Sequence, residues 1–200
     1  MDETRSISSR DVNRALRQLV WPSLRERGFT ERTERYAWRY RPDCVAVVNV
    51  QSFNSYVAAE VGSTTFSFAV NLGIHPLCST DFSGRVEVKN GKLRPREYQC
   101  DFRRPLQKTV DQPELARPEV WFIRPDGSNL TGAVEDARSV LLTIGMEWFE
   151  EFSSLQRMLS FAEREEETDT GTWGMGAPGS PHRLRLIEDL KRGLSSSARA

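Results

Sequence analysis

Cysteine, histidine and lysine are scarce in this sequence, and long apolar runs are missing. The three cysteines, Cys44, Cys78 and Cys100, are odd in number and widely spaced, which excludes a secreted disulfide framework and fits a reducing cytoplasm. Only His75 and His182 could serve as histidine bases, so Ser–His or Cys–His catalysis has few ways to assemble. No Gly-x-Ser-x-Gly elbow, phosphate-binding Gly-Lys-Ser/Thr loop or Cys-x-x-Cys pair occurs. No stretch approaches the ~18 apolar residues that span a bilayer, and Met1 to Arg10 is polar and charged, unlike a signal or an anchor. Net charge is also absent, with 28 basic against 28 acidic residues. No global field therefore draws the chain toward nucleic acid or an anionic membrane.

What is present describes a folded domain. Two hundred residues, 38% hydrophobic, suffice for one core without covalent help. Val12, Leu16, Leu19, Val20 and Leu24 recur at helical period between Ser8 or Ser9, which can cap, and Gly28, which can end the helix with Phe29 folding back. Pro22 falls inside that span, so the spacing predicts one kinked helix. Tyr36, Trp38 and Tyr40 alternate as one aromatic side of a strand. Cys44 to Phe53 reads as a Val-rich strand buried on both faces, and Phe66 to Leu72 as a third strand after a polar loop around Ala59 to Ser63. Short links between the three predict an antiparallel meander. Asn90-Gly91 marks a hairpin, with Val86, Val88 and Leu93 on short edge strands, and Val120 to Ile123 is a further apolar run. Past Thr131 the residues Val134, Ala137, Leu141, Ile144, Trp148 and Phe152 form the clearest helical stripe.

The fold class expected is α+β: a small, mainly antiparallel sheet covered by the N-terminal helix and the long helix from about 131 to 152, with a helical extension. Ser153 or Ser154 can cap a next helix that fades into Glu163 to Glu167. Residues 1–167 read as one domain and 168–181, rich in Gly, Pro, Ser and Thr, as a flexible linker. Residues 182–200 read as a short helix and tail with Leu184, Ile187, Leu190 and Leu194 on one face. At roughly three turns such a helix needs something to dock on, its own chain or a second subunit.

Several strings in order resemble the bacterial family known as domain of unknown function 4304 (DUF4304). They are Leu19-Val20-Trp21-Pro22-Ser23-Leu24, Arg27-Gly28-Phe29, Trp38-Arg39-Tyr40, Val48-Asn49-Val50-Gln51-Ser52, Phe68-Ala69-Val70-Asn71-Leu72-Gly73-Ile74 and Cys100-Asp101-Phe102-Arg103-Arg104-Pro105-Leu106. The resemblance covers about residues 10–150 and leaves the tail from Ser153 outside. Pro105 stands where a basic or small residue is expected. The resemblance supports an α+β fold and carries over no catalytic residues.

For function, the charge is uneven. Arg85 to Lys108 holds eight basic and three acidic residues and Thr131 to Asp169 three basic and ten acidic, so the two segments are expected to complement each other inside the fold. A nucleic-acid role for the basic segment ranks third. Gly174-Met175-Gly176-Ala177-Pro178-Gly179 matches a dinucleotide pattern in letters but follows no strand. His75 with Cys78 begins a metal site to which Cys100 or Cys44 would be supplied from elsewhere, but the Cys-x-x-Cys pairs of common structural sites are absent, so no metal and no cofactor are expected. The polar residues that stand out are Asn49, Gln51 and Asn71 on strands, with Arg103 and Arg104. Buried amides need partners, which they find in one another or in a crossing loop; alternatively they line a groove where the arginines hold a carboxylate or phosphate. The leading expectation is a non-enzymatic, cytoplasmic module that binds another protein, with self-association through the C-terminal helices open. The alternative is an enzyme or small-anion binder centred on Asn49, Gln51, Asn71 and Arg103.

Overall fold

The structure, a computed structural model, describes residues 7–80, 86–164 and 172–197. The chain enters through α1 (Ser9–Leu19), where the backbone N–H and the hydroxyl of Ser8 both donate to Asp11 Oδ2, at 3.0 and 2.6 Å. Pro22 does not kink one helix as expected. It lies in the first turn of a second, α2 (Trp21–Glu26), where its missing N–H costs nothing and its fixed φ suits initiation. Gly28 (φ +87°) then closes α2: its N–H donates to Arg25 O and that of Phe29 to Leu24 O. This is a Schellman ending that turns Phe29 into the core.

The main sheet is antiparallel throughout. Strands β1 (Glu31–Arg32), β2 (Tyr36–Tyr40), β3 (Cys44–Ser52), β4 (Phe68–Pro76) and β7 (Phe102–Pro105) lie in that order, and β8 (Val120–Trp121) also pairs with β4. Between β3 and β4 the expected loop is instead a short helix, α3 (Ser55–Val61), capped by the Asn54 side chain and ended by Gly62 at φ +71°. All nine residues of β4 are buried, because both faces of the sheet are covered. Ala46, Val48, Val50, Phe68, Val70, Leu72, Ile74 and Phe102 join the main core with the helices. Trp38, Val45, Val47 and Cys100 form a second, smaller core on the other face.

That second face is roofed by the hairpin β5 (Glu87–Lys89) and β6 (Lys92–Arg94), whose Asn90 and Gly91 take φ +52° and +73°, the twist a two-residue hairpin requires. Lys92, Arg94 and Arg96 stack over Tyr40, Trp38 and Tyr36, at 4.8, 5.3 and 4.7 Å from the ring centroids. The Trp38 indole donates to Pro95 O at 2.9 Å. Glu31 accepts from Arg94 at 2.6 and 2.9 Å and pairs with Lys92 at 3.2 Å. The basic hairpin thus spends its charge on aromatic faces and Glu31. The acidic helical segment uses other cations, Glu150 pairing with Arg39 and Arg41 and Glu163 with Lys191. The expected complementarity of the two segments is visible in part, Asp136 being among the acids whose charge acts on Lys108; Arg85, Glu165, Glu166, Glu167 and Asp169 lie outside the described residues.

The long helix is interrupted. After α4 (Leu130–Val140) the backbone widens to a π turn over Leu141–Gly145 before α5 (Met146–Glu151). The extra residue shifts the phase, so Ile144, expected in the core stripe, is 40% exposed, while Trp148, Phe149 and Phe152 are buried. Helix α6 (Leu155–Ala162) starts at a Ser154 cap. Of the run Glu163 to Glu167, the last three residues lie outside the described residues, as do positions 168–171 of the expected linker. Helix α7 (Pro181–Ser197) is longer than expected and packs on α6 of its own chain. Its buried apolar residues are Leu186 and Leu190, beside buried Arg183 and Asp189; Leu184, expected on that face, is 52% exposed. Among the described residues no helix is long and apolar enough to cross a membrane.

Candidate functional site

Strand alternation decides which of the expected polar residues meet. Asn49 lies directly opposite Asn71, and Arg103 opposite Gly73, so with Gln51 they share the hairpin-covered face of the sheet. Arg104 is opposite Leu72 and belongs to the helix-covered face, apart from the other four. Asn71 Nδ2 donates to Gln51 Oε1 at 3.0 Å and Asn49 Nδ2 to the Arg35 carbonyl at 3.3 Å, so the amides close on one another and on the chain beside them. Arg103 turns to Trp173, its guanidinium carbon 4.0 Å from the ring centroid. Glu97 stands near it, 8% exposed. Burial raises the Glu97 carboxyl, against the pull of the Arg103 charge.

Farther along this face both histidines of the chain approach Asp101. His75 Nδ1 is 3.7 Å from Asp101 Oδ2, His182 Nε2 is 4.0 Å from Oδ1, and the Ser79 hydroxyl donates to Oδ1 at 3.3 Å. Nothing in the sequence announces this meeting, since His182 stands at the start of a helix expected to lie beyond a linker. The chemistry it can do is limited. Burial pushes the His75 imidazole down to about 4, so it is neutral near pH 7. Burial also pushes the thiols of Cys44 and Cys78 up to about 11 and that of Cys100 well above its ordinary value, so all three stay protonated and poorly nucleophilic. Among the described residues no group of three or more His, Cys, Asp or Glu side chains could hold a metal ion.

A cleft of about 620 Å³ opens on the opposite face, lined by Arg27, Arg39, Leu142, Met146, Glu150 and Arg157 among others. Arg39, on the helix side of β2, is held between two rings, 5.2 Å from Phe29 and 5.4 Å from Phe149. Its Nη1 donates to the Arg27 carbonyl at 3.4 Å. Nε and Nη2 have no acceptor at hydrogen-bonding geometry, the Glu150 carboxylate standing 3.5 Å from Nη2 while bonding Arg41. Burial, then the neighbouring Arg41 charge, pull the Arg39 guanidinium below its ordinary range. The π turn brings Leu142 and Thr143 to the cleft wall, a backbone irregularity of the kind often found at functional sites. The sequence reading missed this cleft, because Arg39 passes for the polar side of an aromatic strand.

The family model for domain of unknown function 4304 matches residues 20–151. The chain belongs to the DUF4304 family. Neither a curated protein nor a solved structure matches it. The DUF4304 region contains α2, the whole main sheet, the roofing hairpin and the helix through α5. Asn49, Gln51, Asn71, Arg103, Arg104, Asp101 and Arg39 therefore lie within it. Trp173 and His182, which meet Arg103 and Asp101, come from the extension beyond the DUF4304 match.

Proposed function

We propose that this DUF4304 protein is a non-enzymatic, cytoplasmic protein-binding module, and that its docking face is the cleft between α2, β2 and α5. The observation that carries the reading is Arg39, a desolvated guanidinium whose Nε has no acceptor and whose Nη2 meets only the Glu150 carboxylate, at 3.5 Å, at the wall of a cleft that also presents Leu142 and Met146. A partner side chain carrying a carboxylate gains a planar, charge-assisted contact there. Glu150, with a side chain 55% exposed, is the group it displaces. The rival enzyme reading has less support, since the amides bond to each other and the thiols are kept protonated. The stacked hairpin cations weigh against a nucleic-acid surface, and three free cysteines suit a reducing compartment.

The test is a photo-cross-linking residue at exposed Thr143, with the same residue at exposed Tyr56 as control, in lysate of the source cell. A discrete adduct is expected from Thr143 alone, more abundant with Glu150→Ala and lost with Arg39→Ala. Equal labelling from both positions, or indifference to both substitutions, would remove the reading.

A further inference from the structure

The outer edge of β7 belongs to the family domain, yet what covers it comes from beyond the family match. The Arg103 N–H donates to Trp173 O at 2.7 Å and the Trp173 N–H to Arg103 O at 2.8 Å, a one-residue antiparallel bridge. The Arg103 guanidinium lies over the Trp173 ring, the Trp148 indole donates to Thr172 Oγ1 at 2.8 Å, and Met175 is buried. Gly174 is fixed at φ +108°, and a Cβ there would come 2.8 Å from Asp101 O and 2.9 Å from Arg103 Nε. Two residues beyond Arg103 the edge presents Pro105, which has no N–H to offer. One backbone pair on this edge, flanked by a stacking arginine, therefore accepts an extended segment, and the chain supplies its own. Trp173 is meanwhile half exposed, so the contact that orders it leaves much of the indole in water.

We infer that the β7 edge at Arg103 is a strand-addition site for an extended peptide with an aromatic residue followed by glycine, and that residues 172–175 occupy it in cis as a displaceable strap. Backbone pairing supplies affinity in such recognition, and the side chain that stacks supplies selectivity. The aromatic requirement follows from the cation–π contact, and the glycine requirement from the crowding at Gly174. Because α7 holds the strap near its site, the internal segment acts at high effective concentration, and a partner peptide meets a largely occupied edge. This surface lies on the other face and near the other edge of the sheet from the Arg39 cleft, and the inference stands apart from that reading.

The experiment uses the full chain labelled with ¹⁵N and a synthetic peptide copying residues 172–178, with a control peptide in which its tryptophan is replaced by alanine. Trp173→Ala frees the arginine, so the Arg103 amide signal is expected to shift saturably with the peptide, at an apparent affinity about ten-fold above wild type. The control peptide is expected to leave the signal unmoved. Should Trp173→Ala lower the thermal midpoint too far for assay, Gly174→Ala loosens the same strap with the indole kept, and the same gain is expected. Peptide uptake by the variant no better than wild type, equal response to the control peptide, self-association in place of uptake, or unfolding of both variants would each overturn the inference.

Discussion

Gly73 shows how one missing side chain lets the second face of the sheet be roofed. A Cβ at that position would fall 2.6 Å from Cys100 Sγ and 3.4 Å from the Glu97 Cα, so the turn Glu97–Gln99 can lie on β4 only over a glycine. Gly73→Ala is expected to cost about 1–3 kcal/mol through overpacking, read as a lowered urea midpoint. Gly132→Ala, with nothing within 4 Å of the added carbon and a helical backbone, is expected to gain about 0.5–1 kcal/mol. His75 gives the second expectation at this scale. Its imidazole titrates near 6.5 when free and at about 4 when folded, so between those values the unfolded chain takes up a proton that the folded one refuses. Stability is then steady above that window and falls as pH drops through it, by about 3 kcal/mol at most. Urea titrations from pH 7 to pH 4.5 should show this loss in wild type and a smaller one in His75→Gln. Equal slopes would show that other groups carry the acid sensitivity.

Periodicity makes some elements legible and hides others. The Asn90-Gly91 hairpin, the Gly28 ending and the strands at Tyr36 and Cys44 all follow from local chemistry that the tertiary fold leaves unchallenged. Pro22 was misplaced because a proline inside an apolar stripe and a proline starting a new helix look alike until the break at Val20 is seen. The π turn is hidden for a related reason: a regular 3.6 period puts Ile144 with Leu141 and Trp148, and only the inserted residue separates them. Neither the cleft at Arg39 nor the strap at Arg103 could be read from the sequence, since both depend on residues far apart in the chain, whereas the mutual closure of Asn71 and Gln51 was among the outcomes expected. The register at the π turn can be checked directly. Ile144→Glu should change stability by no more than about 0.5 kcal/mol, as exposed substitutions do, whereas Leu141→Glu should cost several kcal/mol, about the penalty of a buried unpaired charge. A regular α-helix would make both severe, and thermal midpoints of the two variants distinguish the cases.

At the scale of the whole molecule, the question is whether the extension beyond the family region folds as part of the domain or merely rests on it. Leu186 and Leu190 of α7, Met175 before it and Leu155, Met158 and Phe161 of α6 lie in the same buried cluster as Trp148, Phe152 and Ile74. Phe161 packs edge-on to Phe102 of β7 and to Phe152. Gly193 is pressed between Leu155 and Cys78, whose Cδ1 and Sγ would lie 3.0 and 3.1 Å from a Cβ at that position, so α7 also touches the end of the sheet. Arg183 reaches back to the Ala162 carbonyl at 2.8 Å, and Asp189 Oδ2 accepts from the backbone N–H and hydroxyl of Thr80 at 2.8 and 2.7 Å. Contacts of this kind, shared across one apolar cluster, make unfolding of the parts interdependent. Leu190→Ala is therefore expected to cost about 2–5 kcal/mol and to lower the whole protein's stability rather than free the tail alone. Hydrogen exchange reads this without a label: amides in β3 and β4 should lose protection by the same free energy as those of α7. Loss confined to α6 and α7, with the sheet unchanged, would instead make the extension a separate unit docked on the family fold.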